Sequence, residues 1–332
     1  MKAMVFHEAH GPLQSEDREL PAPRGHEVRV RVLACAVCRS DLHVQDAELP
    51  EVPYPIVPGH QVVGEVVACG PDAELEMGDR VGVTWLGWAC GECPDCERGE
   101  ENLCSRAEFT GYQRDGGFAE AMLVDSRFCL RHDKSLPAAE TTPLLCAGLI
   151  GYRSLRMAGN AQRIGIYGFG SAAHIITQVA VAQSREIYAF TRAGDTQAQS
   201  FAEELGAVWV GDSETSAPKE LDAALIFAPV GSLIPKALRD VRRGGRVVCG
   251  GIHMSDIPSF PYADLWGERR IQSVANLTRE DAREFMKIAG ELNLRPSVTR
   301  YSLADANRAL DDLRGGMFSG TAVLEMEDPA PA

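Results

Sequence analysis

The sequence predicts an α/β protein of two domains, an antiparallel β domain followed by a doubly wound parallel sheet. Three observations predict it. At 332 residues the chain is too long for one ordinary core. Residues 1–146 are dense in Gly, Pro and β-branched runs. From residue 147 strand-like and helix-like segments alternate.

Taken in order, "HEVRVRVLACAV" (26–37), "HQVVGEVVACG" (60–70) and "GDRVGVTW" (78–85) read as short strands parted by turn residues. The pattern then changes. "RIGIYGFG" (163–170) is a buried strand, "SAAHIITQVAVAQS" (171–184) a helix, "EIYAFTR" (186–192) a strand and "TQAQSFAEELG" (196–206) a helix. "DAALIFAP", "SLIPKALRDVR", "GGRVVCGG" and "RIQSVAN" continue the alternation to residue 276, which implies a parallel sheet covered on both faces. An amphipathic segment, "REDAREFMKIAGEL", and a closing strand, "GTAVLEME", end the chain. This tail is too short for a domain and is expected to pack back on the first one. The expected boundaries are therefore 1–146 together with 276–332 for the first domain and 147–275 for the second. The final "EDPAPA" is expected to fray.

A formal charge of −14 with no basic stripe argues against a nucleic-acid partner, because phosphate backbones are held by Lys and Arg. No apolar run approaches the ~20 residues of a membrane span. The start "MKAMVFHEAHGP" lacks the apolar stretch of a signal peptide, so a soluble cytoplasmic protein is expected. Ten cysteines in such a chain are more often metal ligands or buried thiols than disulfides.

"CGECPDCERGEENLC" sets Cys90, Cys93, Cys96 and Cys104 at spacing C-x2-C-x2-C-x7-C. Four thiolates this close can fill every position around a tetrahedral Zn²⁺, which makes a structural site. Reduced thiols without metal and an iron–sulfur cluster are the weaker readings. A nucleic-acid-binding zinc ribbon would need flanking cations. Here Glu92, Asp95, Glu97, Glu100 and Glu101 stand against Arg98.

"RIGIYGFGSAAHII" holds Gly168, Gly170 and Ala173 as G-x-G-x-x-A between a strand and a helix, the setting in which exposed N–H groups receive a pyrophosphate. A plain tight turn is the bland alternative. The second strand of this unit ends in Thr191 and Arg192, where an NAD-selective site expects Asp or Glu. A cationic fork suits a 2′-phosphate, which favours NADP(H) slightly over NAD(H). Asp195 is a nearby carboxylate that argues the other way.

A catalytic zinc keeps three protein ligands and one open position. Cys38, His60 and Cys146 arrive from three separate segments, and each taken singly reads as a buried Cys or a turn His. Together with the two loops above they cease to be independent. On "CAVCRSDLH", "PGHQVVGEV", "CGECPDCERGEENLC", "CAGLIGY" and "GFGSAAH", the sequence resembles the zinc-dependent alcohol dehydrogenases of the medium-chain dehydrogenase/reductase superfamily along nearly its whole length.

The resemblance implies a GroES-like antiparallel β catalytic domain and a Rossmann cofactor domain. It implies two zincs per chain, a catalytic one on Cys38, His60 and Cys146 and a structural one on Cys90, Cys93, Cys96 and Cys104. Ser40 would touch the substrate alkoxide and start a proton relay ending at His43 near the surface, an imidazole suiting that task. Arg39 would pair with the cofactor pyrophosphate. Asp41 would accept from the far nitrogen of His60 and fix its tautomer. Cys35 would only pack. Zinc would act as Lewis acid while hydride passes to or from nicotinamide. Trp85 falls where relatives place a large aromatic in the substrate pocket, which implies short primary alcohols or aldehydes; core packing is the alternative role. Relatives form dimers or tetramers, so a homodimer or homotetramer is implied.

Three positions depart from the family pattern. Gln61 stands where Glu usually follows the zinc histidine, which leaves the site one negative charge poorer. Ile150 replaces a Thr beside the nicotinamide. Thr321 replaces an Arg against the pyrophosphate. Two other functions compete with this one: a zinc-independent quinone or enone reductase of the same superfamily, which lacks both cysteine sets, and a non-enzymatic zinc or nucleotide sensor, which needs neither Ser40 nor His43.

Overall fold

The computed structural model describes residues 1–134 and 136–327. The expectation for "EDPAPA" concerns a segment that, from residue 328, lies outside the described residues. The chain divides into two compact units: Met1–Cys146 with Leu277–Met286 and the segment from Pro296, and Ala147–Asn276 with Lys287–Arg295. Lys287–Arg295 thus groups with the second unit, a difference from the boundaries drawn on the sequence. It arises because the helix Arg279–Glu291 contributes to both.

The first unit is built on a seven-stranded sheet centred on Glu27–Ala36. That strand alternates strictly over most of its length: Val28, Val30 and Val32 are buried, while the residues between them are half-covered. It pairs antiparallel with Gln61–Cys69, Ala121–Asp125 and Thr321–Glu325. Arg80–Val83 and Cys129–Arg131 extend the sheet on one side. On the other side Val298–Ser302 runs parallel to Thr321–Glu325, the sole parallel pair in this sheet among the described residues. That strand and the helix Ala306–Gly315 are additions to the expected tail.

The second unit is a six-stranded, wholly parallel sheet. Its order is Trp209–Asp212, Glu186–Thr191, Arg163–Tyr167, Leu221–Ile226, Val241–Cys249, Arg270–Ser273. Sequence order reverses at Arg163–Tyr167, so the crevice beyond its carboxyl end is the ligand position of a doubly wound sheet. Ile164, Ile166 and Tyr167 are fully buried, as a strand covered on both faces requires. Among the described residues no helix is long and apolar enough to cross a membrane.

Candidate active site and metal centres

Cys38 lies two residues past the end of the central strand of the first unit and caps the helix Arg39–Gln45, where helix-end N–H groups favour a thiolate. His60 immediately precedes the neighbouring strand, whose first residue, Gln61, pairs with Ala36. The turn before His60 is tight. Gly59 has φ +95°, and a Cβ there would lie 2.4 Å from the Phe118 ring, so only glycine fits. Cys146 ends the short helical turn Thr142–Leu145. Leu145 packs in the space above Gly82, where an added Cβ would come within 2.7 Å of its side chain, and this contact draws the distant segment onto the sheet.

The ligand atoms of Cys38, His60 and Cys146 all lie within 4.8 Å of one another, with His60 Nε2 3.3 Å from Cys146 Sγ. Asp41, fully buried, stands behind them. Its carboxylate accepts from Cys38 N–H (2.7 Å) and Gly59 N–H (3.1 Å), and lies 3.4 Å from His60 Nδ1. An ionised carboxylate only accepts, so it favours a proton on His60 Nδ1 and leaves Nε2 as the ring nitrogen that faces the cysteines. Without metal the three ligands share protons. Burial opposes charge on His60, yet the Asp41 carboxylate and the Cys38 thiolate push it up to about 10. The Cys146 hydrogen bond draws the Cys38 thiol well below its usual range, and the same contact raises Cys146.

Ser40 sits in the first helical turn, its Oγ 3.8 Å from Cys38 Sγ, and Arg39 beside it is exposed. His43 is buried rather than near the surface as expected, since the helix turns it inward. Its Nδ1 hydrogen-bonds Glu48, whose carboxylate is half exposed, and Glu48 N–H donates to the His43 carbonyl. Glu48 was missed on the sequence because nothing in its surroundings marks it. Trp85 is buried, edge-on to His60 at 4.8 Å between ring centroids, and stacked on Phe109 at 5.3 Å. The ring therefore packs against His60. Cys35 is wholly buried in the core. Gln61 is also buried, with its Oε1 unpartnered, and Thr321 is buried at the start of its strand.

Cys90, Cys93, Cys96 and Cys104 bring their sulfurs within 4.8 Å of one another. Cys90 Sγ lies 3.6 Å from Cys104 Sγ and 3.9 Å from Cys96 Sγ. Tetrahedral Zn–S bonds of about 2.3 Å set sulfurs about 3.8 Å apart, so the cage fits that ion. The backbone N–H of Glu92 holds the Cys90 thiol down to about 6, while burial pushes Cys96 up to about 12. The surrounding acids are not simply solvated. Arg98 pairs with Asp95 and Glu100, Arg106 with Glu92, and Glu101 is buried against Arg279.

In the second unit, Gly168 has φ +92°, and a Cβ there would meet Ala228 N at 2.8 Å. Gly170 opens the helix Ser171–Ala182, and nothing of the protein lies within 4 Å of where its Cβ would be. Its bareness is not demanded by packing; it leaves room for a close-lying ligand. Ala173 is fully buried where helix meets strand. Ile150 lies in the helix Ala147–Met157 of this unit. At the end of the next strand Thr191 is buried and Arg192 exposed. Asp195 is already engaged, its Oδ1 accepting from Ala198 N–H at 3.0 Å as a helix cap.

Residues 24–134 match the family model described as alcohol dehydrogenase GroES-like domain. The chain is 44% identical over 323 residues to "Probable alcohol dehydrogenase AdhA" of Mycobacterium tuberculosis, covering 95% of this chain and 93% of that protein. It is 34% identical over 346 residues to an alcohol dehydrogenase of Geobacillus stearothermophilus, covering 98% and 100%. The solved alcohol dehydrogenase of the archaeon Aeropyrum pernix superposes with a TM-score of 0.88 over 98% of this chain and 100% of that one, at 26% identity. With its GroES-like and parallel-sheet units and these full-length relatives, the chain belongs to the alcohol dehydrogenases of the medium-chain dehydrogenase/reductase superfamily.

Proposed function

We propose that this oxidoreductase is a zinc enzyme that interconverts short primary alcohols and aldehydes with a nicotinamide cofactor, NADP(H) being favoured. The observation that carries the reading is the convergence of two thiols and one imidazole, backed by a buried carboxylate, in a chain that also holds a separate four-cysteine cage. Cys38, His60 and Cys146 would hold the catalytic zinc, which supplies Lewis-acid polarisation of an alcohol or carbonyl oxygen. Cys90, Cys93, Cys96 and Cys104 would hold the structural one.

Within this reading the first unit is the catalytic domain and the second the cofactor domain. Ser40 orients the substrate hydroxyl and passes on its proton. His43 receives that proton at Nε2, because Glu48 holds the other ring proton on Nδ1. Trp85 walls the space beside His60 and disfavours bulky substrates. Arg39 binds pyrophosphate, and Gly168, Gly170 and Ala173 form the turn that receives it, with nicotinamide carrying the hydride. Thr191 and Arg192 face the adenosine ribose. Asp195 supports the NADP(H) preference by default, its carboxylate being spent on a helix cap.

A homo-oligomer built through the second unit is part of the same reading. Metal analysis with a turnover panel tests the core of it: two zincs per chain and oxidation of short primary alcohols are expected. One zinc or none, or no turnover on any small alcohol or aldehyde with either cofactor, overturns it.

A further inference from the structure

The turn that presents Arg192 is tied down by a side chain that contacts no candidate ligand itself. Gln199, in the helix Thr196–Glu204, donates from Nε2 to Thr191 Oγ1 at 3.0 Å and to Asp212 Oδ1 at 3.2 Å. Thr191 and Asp212 are register partners at the carboxyl ends of adjacent parallel strands. Asp212 Oδ1 also accepts from Gly194 N–H at 3.3 Å. Thr191 Oγ1 donates in turn to the Arg192 carbonyl at 3.2 Å, and Asp195 N–H donates to that carbonyl at 3.1 Å.

These bonds have a definite chemical result. The Thr191 hydroxyl has its only proton committed to Arg192 O, so it cannot donate to a ribose or a phosphate. The Asp212 carboxylate keeps its charge, but its Oδ1 is held onto two N–H donors of the protein, Gln199 Nε2 and Gly194 N. Asp195 is engaged as a helix cap. Arg192 is exposed and has no ion-pair partner among the described residues. Of the charged groups in the turn 191–195, Arg192 alone is therefore left for an anion.

We infer that Gln199 and Asp212 form a clasp that sets cofactor discrimination: by closing Thr191, Asp212 and the 192–195 turn into one network, they hold Arg192 where the 2′-phosphate of NADP(H) must sit. Gln199 is a positioning residue. The inference rests on the NADP(H) reading, and it adds a residue one turn into the helix that follows the strand end where cofactor preference is ordinarily read.

The test is a double-mutant cycle of Arg192→Ala and Gln199→Ala, reading kcat/KM for NADPH and for NADH in each variant, with thermal melting as the control for folding. The wild type is expected to favour NADPH. R192A should lower the NADPH-to-NADH ratio at least tenfold, as loss of a charge-assisted contact does. Q199A should lower it about tenfold through the NADPH KM, leaving kcat and the NADH constants unchanged; mere loosening of the domain would weaken both cofactors alike. In the R192A background, Q199A should have almost no further effect on the ratio, because the clasp acts through Arg192.

A wild-type ratio below one overturns the NADP(H) reading and with it the role of the clasp. A ratio above one that R192A collapses and Q199A leaves intact overturns the clasp alone, as do additive effects in the double variant. Should Q199A fail to fold, the near-isosteric Asp212→Asn is read in the same cycle through the dissociation constants of the two cofactors.

Discussion

The carboxylate of Asp41 joins the two segments that carry Cys38 and His60. It takes the N–H of Cys38 at 2.7 Å and that of Gly59 at 3.1 Å, and faces His60 Nδ1 at 3.4 Å. Both oxygens are used and the group is buried, so no water can stand in for either. Asp41→Asn keeps one acceptor but turns an NH₂ onto a neighbouring donor. Partners of ligating histidines typically contribute 10- to 100-fold in metal affinity, and the variant is expected to release the zinc proposed for Cys38, His60 and Cys146 to a chelator about that much faster. The four-cysteine site should keep its metal at the wild-type rate. Unchanged release from both sites would show that Asp41 matters only as the capping-box partner of Cys38. Gln61, next to His60, is a different case. Its residue type is plain in the sequence, whereas its burial with Oε1 unpartnered is known only from the fold.

At the scale of elements, the four-cysteine loop is held at its base by an ion pair of high sequence separation. Arg279 donates from its backbone N and from Nε to Glu101 Oε1, both at 3.0 Å, and its guanidinium lies over the Phe128 ring. The spacing of the cysteines is legible in "CGECPDCERGEENLC". The role of Glu101 is not, because its partner lies 178 residues away and only tertiary packing brings it there. On the sequence Glu101 reads as one more solvated acid. Glu101→Ala leaves a partly buried backbone N–H and part of a guanidinium unpaired, and is expected to cost about 1 kcal/mol. Differential scanning calorimetry of the zinc-loaded chain checks the cost. A melting temperature within a degree of wild type would mean that solvent replaces the pair. The same limit explains why Glu48 and Gln199 went unnoticed: both act through side-chain contacts that no periodicity encodes.

For the whole molecule, the parallel sheet was the most legible part. Strands covered on both faces read as unbroken apolar runs, and the glycine turn marks where the first of them ends. The C-terminal tail was less so. Val298–Ser302 mixes polar and apolar residues with little pattern, and it becomes a strand only because Thr321–Glu325 offers it an edge. The opposite problem arises at the end of the parallel sheet, where Arg270–Ser273 is an edge strand with no further strand beside it among the described residues. Close before it in sequence, Tyr262 and Trp266 are 69% and 61% exposed, and Arg243 and Arg270 are exposed as well. In a chain of net charge −14, the exposed Arg243 and Arg270 offset part of the repulsion between two copies here. An edge strand can pair with its own symmetry mate, and the exposed rings supply apolar area that a monomer gains nothing by displaying. The proposed homo-oligomer is therefore expected to form here. Trp266→Glu should shift the species seen by sedimentation velocity toward the monomer without changing the far-ultraviolet circular dichroism. If the variant keeps the wild-type sedimentation coefficient at every concentration, association uses another face; if the wild type is itself a monomer, the oligomer is ruled out.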